Sequence, residues 1–128
     1  MHTVQPWLVV GGVGLCLGVG GTLHAAVGVG HVEAGAMLYH ERCSPCHGMD
    51  GKATTPMAQA MAPQPRDHTD GTYMNRLSDT HIATVIKQGG TAVGKSSLMP
   101  AQPDLSAQQL ADLVAFVRTL AVPPYHPQ

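Results

Sequence analysis

The densest chemistry in this 128-residue chain lies in Cys43-Ser44-Pro45-Cys46-His47. Two thiols separated by two residues and followed at once by an imidazole form the attachment pattern of a c-type haem. Each thiol can add to one vinyl group of a porphyrin, giving two thioether bonds. The histidine is then held beneath the ring, where its imidazole can ligate iron. A Cys-x-x-Cys pair can also be a dithiol redox site, but that chemistry goes with a βαβ setting, and no strand-like run flanks the pair. A structural zinc site needs four ligands such as Cys₄, Cys₃His or Cys₂His₂. The third cysteine, Cys16, sits in an apolar leader, which rules out a thiolate-rich site. A Cys₂His₂ site drawing on another of the eight histidines stays open.

A second chemical candidate is Met99, within Ser97-Leu98-Met99-Pro100. The segment from Gly89 to Asp104 carries three glycines and two prolines, so it reads as a long loop, and loops of that length in small domains usually have a function. Proline restricts the residue before it to extended backbone, which stiffens Met99 in a non-helical stretch. Thioether sulfur is a soft ligand, and Met/His ligation of haem iron is an established arrangement that raises the reduction potential. The competing reading is that Met99 only fills a packing gap. Other side chains compete for the same role. Met49 is too close to the motif to reach across a porphyrin, and Met57, Met61 and Met74 lack the loop context. His68 and His81 would give bis-histidine ligation, but His68 reads as a surface residue and His81 as a helix residue; His40 reads as exposed.

The elements that must position these groups are helical. His31 to Arg42 reads as a first helix ending at the haem motif, with Gly35 and Tyr39 four apart on one face. Glycine inside a helix costs about 1 kcal/mol relative to alanine, which points to close approach by another helix. Ser78 caps a helix over Asp79 to Gln88 that Gly89-Gly90 end, and Asp70 can cap a shorter turn running to Leu77. The clearest element is the last. Ser106 with Gln109 makes a capping box; Leu110, Leu113, Val114, Val117 and Leu120 recur at helical spacing. Arg118 suits its C-terminal end electrostatically, and Pro123-Pro124 stop it. Pro56 to Pro65 reads as a loop, with Met57 and Met61 as loop packing.

Residues 1–30 differ from the rest. They contain no Asp, Glu, Lys or Arg, and they are rich in glycine. Trp7 to Leu23 is apolar and suits the core of an export signal, with Ala25 and Ala26 near a cleavage point. The fit is imperfect, because no Lys or Arg precedes it and His24 is not small. The same stretch approaches the roughly 20 residues of a membrane span, so residues 7–30 could stay as an anchor; that would leave almost no linker before Val32. Either way the domain lies outside the cytoplasm. Residues 31–122 form the domain and 123–128 a tail. Net charge is −1 with seven basic and eight acidic residues. There is no basic stripe for nucleic acid, and no strong docking ring can be read. Arg66 is a candidate partner for a haem propionate, against the plainer reading of a solvated loop arginine.

Together these pieces resemble the class I monohaem c-type cytochromes. The resemblance runs from Val32 to Leu120 through Gly35-Ala36-Met37-Leu38-Tyr39, the haem motif with Gly48, Leu98-Met99-Pro100, and Leu105-Ser106 opening the last helix. It implies an all-α, small cytochrome c fold, with N- and C-terminal helices packed together around one covalently bound haem. Gly35 and Tyr39 would meet Leu113 and Phe116. It also implies attachment through Cys43 and Cys46, with His47 as proximal and Met99 as distal ligand. With both axial positions filled by protein, such an iron suits one-electron transfer between redox protein partners, in a bacterial periplasm or comparable compartment. The alternatives are a membrane-anchored or tightly bound subunit of a respiratory or dehydrogenase complex, and a haem enzyme or gas-binding protein with an open sixth position.

Overall fold

The computed structural model describes residues 29–127. The expected leader therefore lies outside the described residues, apart from Val29 and Gly30. Six helices follow in order: α1 Val32–Arg42, α2 Ser44–His47, α3 Pro56–Gln59, α4 Gly71–Met74, α5 Asp79–Gln88 and α6 Ala107–Leu120, with a single 3₁₀ turn over Gly90–Val93 between the last two. No strand occurs among the described residues; an isolated parallel bridge joins Asp70 to Val122. None of the described helices is long and apolar enough to cross a membrane.

The caps read from sequence hold. The Ser106 hydroxyl accepts from the Gln109 N–H at 3.2 Å, and the Gln109 side chain accepts from the Ser106 N–H at 2.9 Å. Ser78 accepts from the His81 N–H at 3.1 Å. Asp70 accepts from the Tyr73 N–H at 3.2 Å, starting a single turn, α4. Each satisfies a backbone donor that a helix leaves unpaired at its N-terminus. Two elements depart from expectation. Thr55 caps α3, accepting from the Ala58 N–H at 3.0 Å, so Pro56–Gln59 is helical rather than loop; Pro56 at the first helical position is preorganised for it. His31 is not in α1 but precedes it as the N-cap, and its side chain caps nothing.

That cap comes instead from the far end of the chain. Asp112, on α6, accepts from the His31 backbone N–H at 2.7 Å and from Gln108 Nε2 at 2.8 Å. Gln108 also donates to the Val29 carbonyl at 3.0 Å. One turn into α1, Gly35 lies so close to α6 that a Cβ there would collide with the Asp112 carbonyl and come within 2.9 Å of Phe116 Cβ. The absent side chain lets the two backbones touch. Past the crossing, Tyr39 is fully buried, its ring 5.0 Å from that of Phe116. Leu113, Val114 and Val117 of α6 join Ile82 and Ile86 of α5 in the core beneath.

Arg118 lies in the last turn of α6, as read from the sequence, and is also buried there. It donates to the Met74 carbonyl at 2.8 Å, to the Leu77 carbonyl at 2.5 Å and to Asp79 at 2.7–2.8 Å, and its guanidinium lies 3.8 Å from the centre of the Tyr125 ring. One side chain thus ties α6 to α4, to the start of α5 and to the C-terminal tail.

Two outcomes test this crossing. Gly35→Ala is expected to destabilise the domain by about 3 kcal/mol or more, because the clash is with backbone that cannot repack; chemical denaturation measures it. Asp112 is held below the ordinary carboxylate range, first by the His31 backbone hydrogen bond. A carboxyl depressed on folding adds stability above its unfolded pKa and loses it as pH falls through the lower folded value. Asp112→Ala should lower Tm at neutral pH and flatten the fall in Tm below about pH 4; an acid limb identical to wild type would count against the cap.

Candidate cofactor site

The haem-attachment pattern forms its own short helix. α1 ends at Arg42, Cys43 bends the chain while its N–H still reaches the Tyr39 carbonyl at 2.8 Å, and α2 begins at Ser44 with Pro45 in its first turn. The Ser44 hydroxyl donates back to the His40 carbonyl at 2.6 Å. The α1–α6 crossing therefore sets where α2 starts, and α2 carries Cys43, Cys46 and His47 as one unit. Both cysteines are free and partly exposed. Cys43 borders the core, and burial pushes its thiol up to about 11, so it is protonated at neutral pH. Cys46 Sγ lies 3.5 Å from Met57 Sδ on the more open side.

His47 is 7% exposed. Its Nδ1 lies 2.9 Å from the Arg66 backbone carbonyl. A carbonyl can only accept, so Nδ1 carries the proton, and the lone pair is left on Nε2. This is how metal-binding histidines are usually prepared: the outer hydrogen bond sets the tautomer and raises the basicity of the other nitrogen. Burial holds the pKa below the ordinary imidazole value, with the Arg66 bond opposing it, so the ring is neutral near pH 7. Two partly exposed thiols on one helical turn beside a buried, neutral imidazole with a free Nε2 fit the donor set of a covalently bound haem. Among the described residues no group of three or more His, Cys, Asp or Glu side chains is placed to hold a metal ion.

Arg66 contributes through its backbone, for which a sequence carries no signal. Its guanidinium lies 3.9 Å from the centre of the Tyr73 ring. His68 is not the surface residue expected. It is partly buried, with its ring stacked on that of His47 at 4.1 Å between centroids and 15° between planes. Its Nδ1 is 3.0 Å from the Tyr39 hydroxyl. Burial, followed by its His47 and Arg66 neighbours, pushes its pKa down to about 3. An iron shared by two imidazoles lies between their edges, whereas these rings present faces to each other. This placement does not suit a bis-histidine pair.

Met99 sits in the long loop and packs, partly buried, against the core that Cys43 also borders. Its stretch is held at both ends. On one side the Gly90 N–H donates to the Met99 carbonyl at 3.0 Å. Gly89, with φ +82°, brings its Cα so close that a Cβ would stand 3.0 Å from that same carbonyl; both the positive φ and the space favour glycine. On the other side Lys87 Nζ donates to the Pro103 and Leu105 carbonyls at 2.7 and 2.6 Å. Arg42 reaches Asp104 at 2.6 Å and Gln102 at 3.3 Å, which links the residue before Cys43 to the segment after Met99. Removing Lys87 frees two carbonyls of a charged donor, each bond worth about 1.5–3 kcal/mol. Lys87→Met is expected to speed amide exchange at Gln102 and Leu105 by roughly tenfold or more, with little change in α1.

The family model described as Cytochrome c matches residues 32–121. Among solved structures, a chain of the reducing HAO-like protein complex Kustc0457/Kustc0458 of Kuenenia stuttgartiensis superposes with a TM-score of 0.63 at 24% identity, over 75% of this chain. This chain spans 45% of that neighbour's length. The KustC0563 c-type cytochrome superposes with a TM-score of 0.56 at 26% identity, over 68% of this chain and 96% of its own. No curated protein matches the chain.

Proposed function

The chain belongs to the cytochrome c family, and from that premise we propose that it is a one-electron carrier with a single haem bound through Cys43 and Cys46 and ligated axially by His47 and Met99. The observation that carries this reading is the preparation of His47: buried, neutral, its Nδ1 committed to the Arg66 carbonyl and its Nε2 free. A haem held in this way supplies reversible one-electron chemistry at iron. The protein residues orient it, exclude water and tune its potential.

Each residue has a distinct part. Cys43 and Cys46 would hold the haem covalently through their thiols. The Arg66 carbonyl would strengthen His47 as a donor and fix which of its nitrogens is free. Met99, stiffened by Pro100 and anchored through Gly90 on one side, would offer its thioether as the second protein ligand. A soft neutral sulfur stabilises the reduced iron and raises the potential. Two protein ligands would leave no coordination site for substrate, which favours outer-sphere transfer over catalysis at iron. The Cys-x-x-Cys-His pattern and the charge-free apolar leader support an extracytoplasmic setting with redox proteins as partners. A second reading, a permanently docked electron-transfer subunit, is supported by the structural neighbour that belongs to a redox complex.

The test uses the full chain matured with covalent haem. The reduced wild-type protein should not bind carbon monoxide at neutral pH, and its ferric form should show a thioether-to-iron absorption band. Met99→Ala should lose that band, bind carbon monoxide readily and have a lower reduction potential. Ready binding by wild type, or an intact band in Met99→Ala, would overturn the Met99 assignment.

A further inference from the structure

His68 occupies a place that neither the attachment pattern nor electron transfer through His47 and Met99 requires. Its ring covers one face of His47, nearly parallel, at 4.1 Å. It is held there from two directions. Its backbone N–H donates to the Gly51 carbonyl at 2.8 Å, and its Nδ1 shares a hydrogen bond of 3.0 Å with the Tyr39 hydroxyl. Tyr39 is itself immobilised, 0% exposed and packed against Phe116 in the α1–α6 crossing. A continuous line of contacts therefore runs from that crossing through Tyr39 and His68 to the imidazole of His47.

We infer that His68, braced by Tyr39, is a positioning residue that sets the plane of the His47 ring. This rests on the reading of His47 as an axial ligand. The Arg66 carbonyl decides which nitrogen is free, but a single hydrogen bond to a carbonyl oxygen accepts a broad range of angles and restrains rotation of the ring only weakly. A flat partner stacked on one face resists rotation and tilt, because either would drive ring atoms into it. The ring plane matters because it determines how the imidazole π-orbital meets the iron d-orbitals. Orientation of a ligand by its surroundings is one of the means by which a protein tunes a bound metal. His68 supplies that orientation without touching the metal. The stack asks only for a flat ring, whereas the link to Tyr39 asks for a hydrogen-bonding nitrogen, so the two contributions can be separated.

The experiment is electron paramagnetic resonance of the ferric holoprotein, with haem-methyl proton shifts by NMR as a second readout. Wild type should give one low-spin species. His68→Ala should give a second low-spin species with shifted g-values, reflecting a ring no longer held in one plane. His68→Phe restores a flat partner but not the bond to Tyr39, so the main species should return near the wild-type positions, with the second species reduced to a minor fraction. Tyr39→Phe keeps the buried ring and removes only the hydroxyl, so it should fold even if His68→Ala does not; it is expected to show the second species as a smaller fraction. Wild-type signals in His68→Ala, or equal disturbance in His68→Ala and His68→Phe, would overturn the inference. So would a wild-type signal in Tyr39→Phe when His68→Ala fails to fold, and so would lowered Tm in every variant with unmoved g-values. A wild-type protein with no imidazole-ligated signal would sink the reading of His47 itself, which is distinguishable from variants that leave a normal wild-type signal unchanged.

Discussion

The contact between the Gly35 backbone and the Asp112 carbonyl is the constraint from which the rest of the site is built. Two helices far apart in sequence meet without a side chain between them. A contact this close leaves little freedom in crossing angle or register, because backbone cannot change rotamer to relieve a clash. Asp112 reinforces the same point by capping α1 from α6. α1 leads through one residue into α2, so the crossing determines where Cys43, Cys46 and His47 stand. It also determines where Tyr39 stands, and through Tyr39 the ring of His68.

The segment carrying Met99 is organised differently. It has almost no regular structure, and its backbone polar groups are satisfied by other elements. Gly90 holds the Met99 carbonyl, Lys87 holds two later carbonyls, and the Ile86 carbonyl accepts from the Gln102 N–H at 3.0 Å. Buried backbone groups without partners are costly, so these bonds make an irregular path a defined one. Arg42 bridges this segment to the residue preceding Cys43, although the pair is exposed enough to count as alignment more than as stabilisation.

Much of the fold was legible. Ser106 with Gln109, Ser78 and Asp70 announced helix starts because a cap is a local bond, made over three residues whatever the rest of the chain does. The α6 stripe was legible because a helix repeats its buried face at fixed spacing. Gly35 and Tyr39 were legible as a pair needing close approach. Three features were not. α3 hid in a proline- and alanine-rich stretch, where Thr55 as a cap was the missed signal. Arg118 looked like a charge suited to a helix end, but three of its partners lie some 40 residues away. His68 looked like a solvated loop residue because nothing near it in sequence shows the aromatic surfaces it meets.

The attachment pattern itself was determined by sequence alone, since two thiols and an imidazole within five residues need no long-range folding to define their chemistry. So were the main helices and the loop that isolates Met99. Only the tertiary structure decided what surrounds His47. Its hydrogen-bond acceptor is a backbone carbonyl, identical in every residue type, and Arg66 was chosen by the path of the chain rather than by its side chain. Its stacked neighbour was chosen by where Tyr39 is buried, which depends on how closely α1 and α6 can approach. Side-chain chemistry is written residue by residue, whereas the backbone partner and the ring facing it arise only when distant segments share one core.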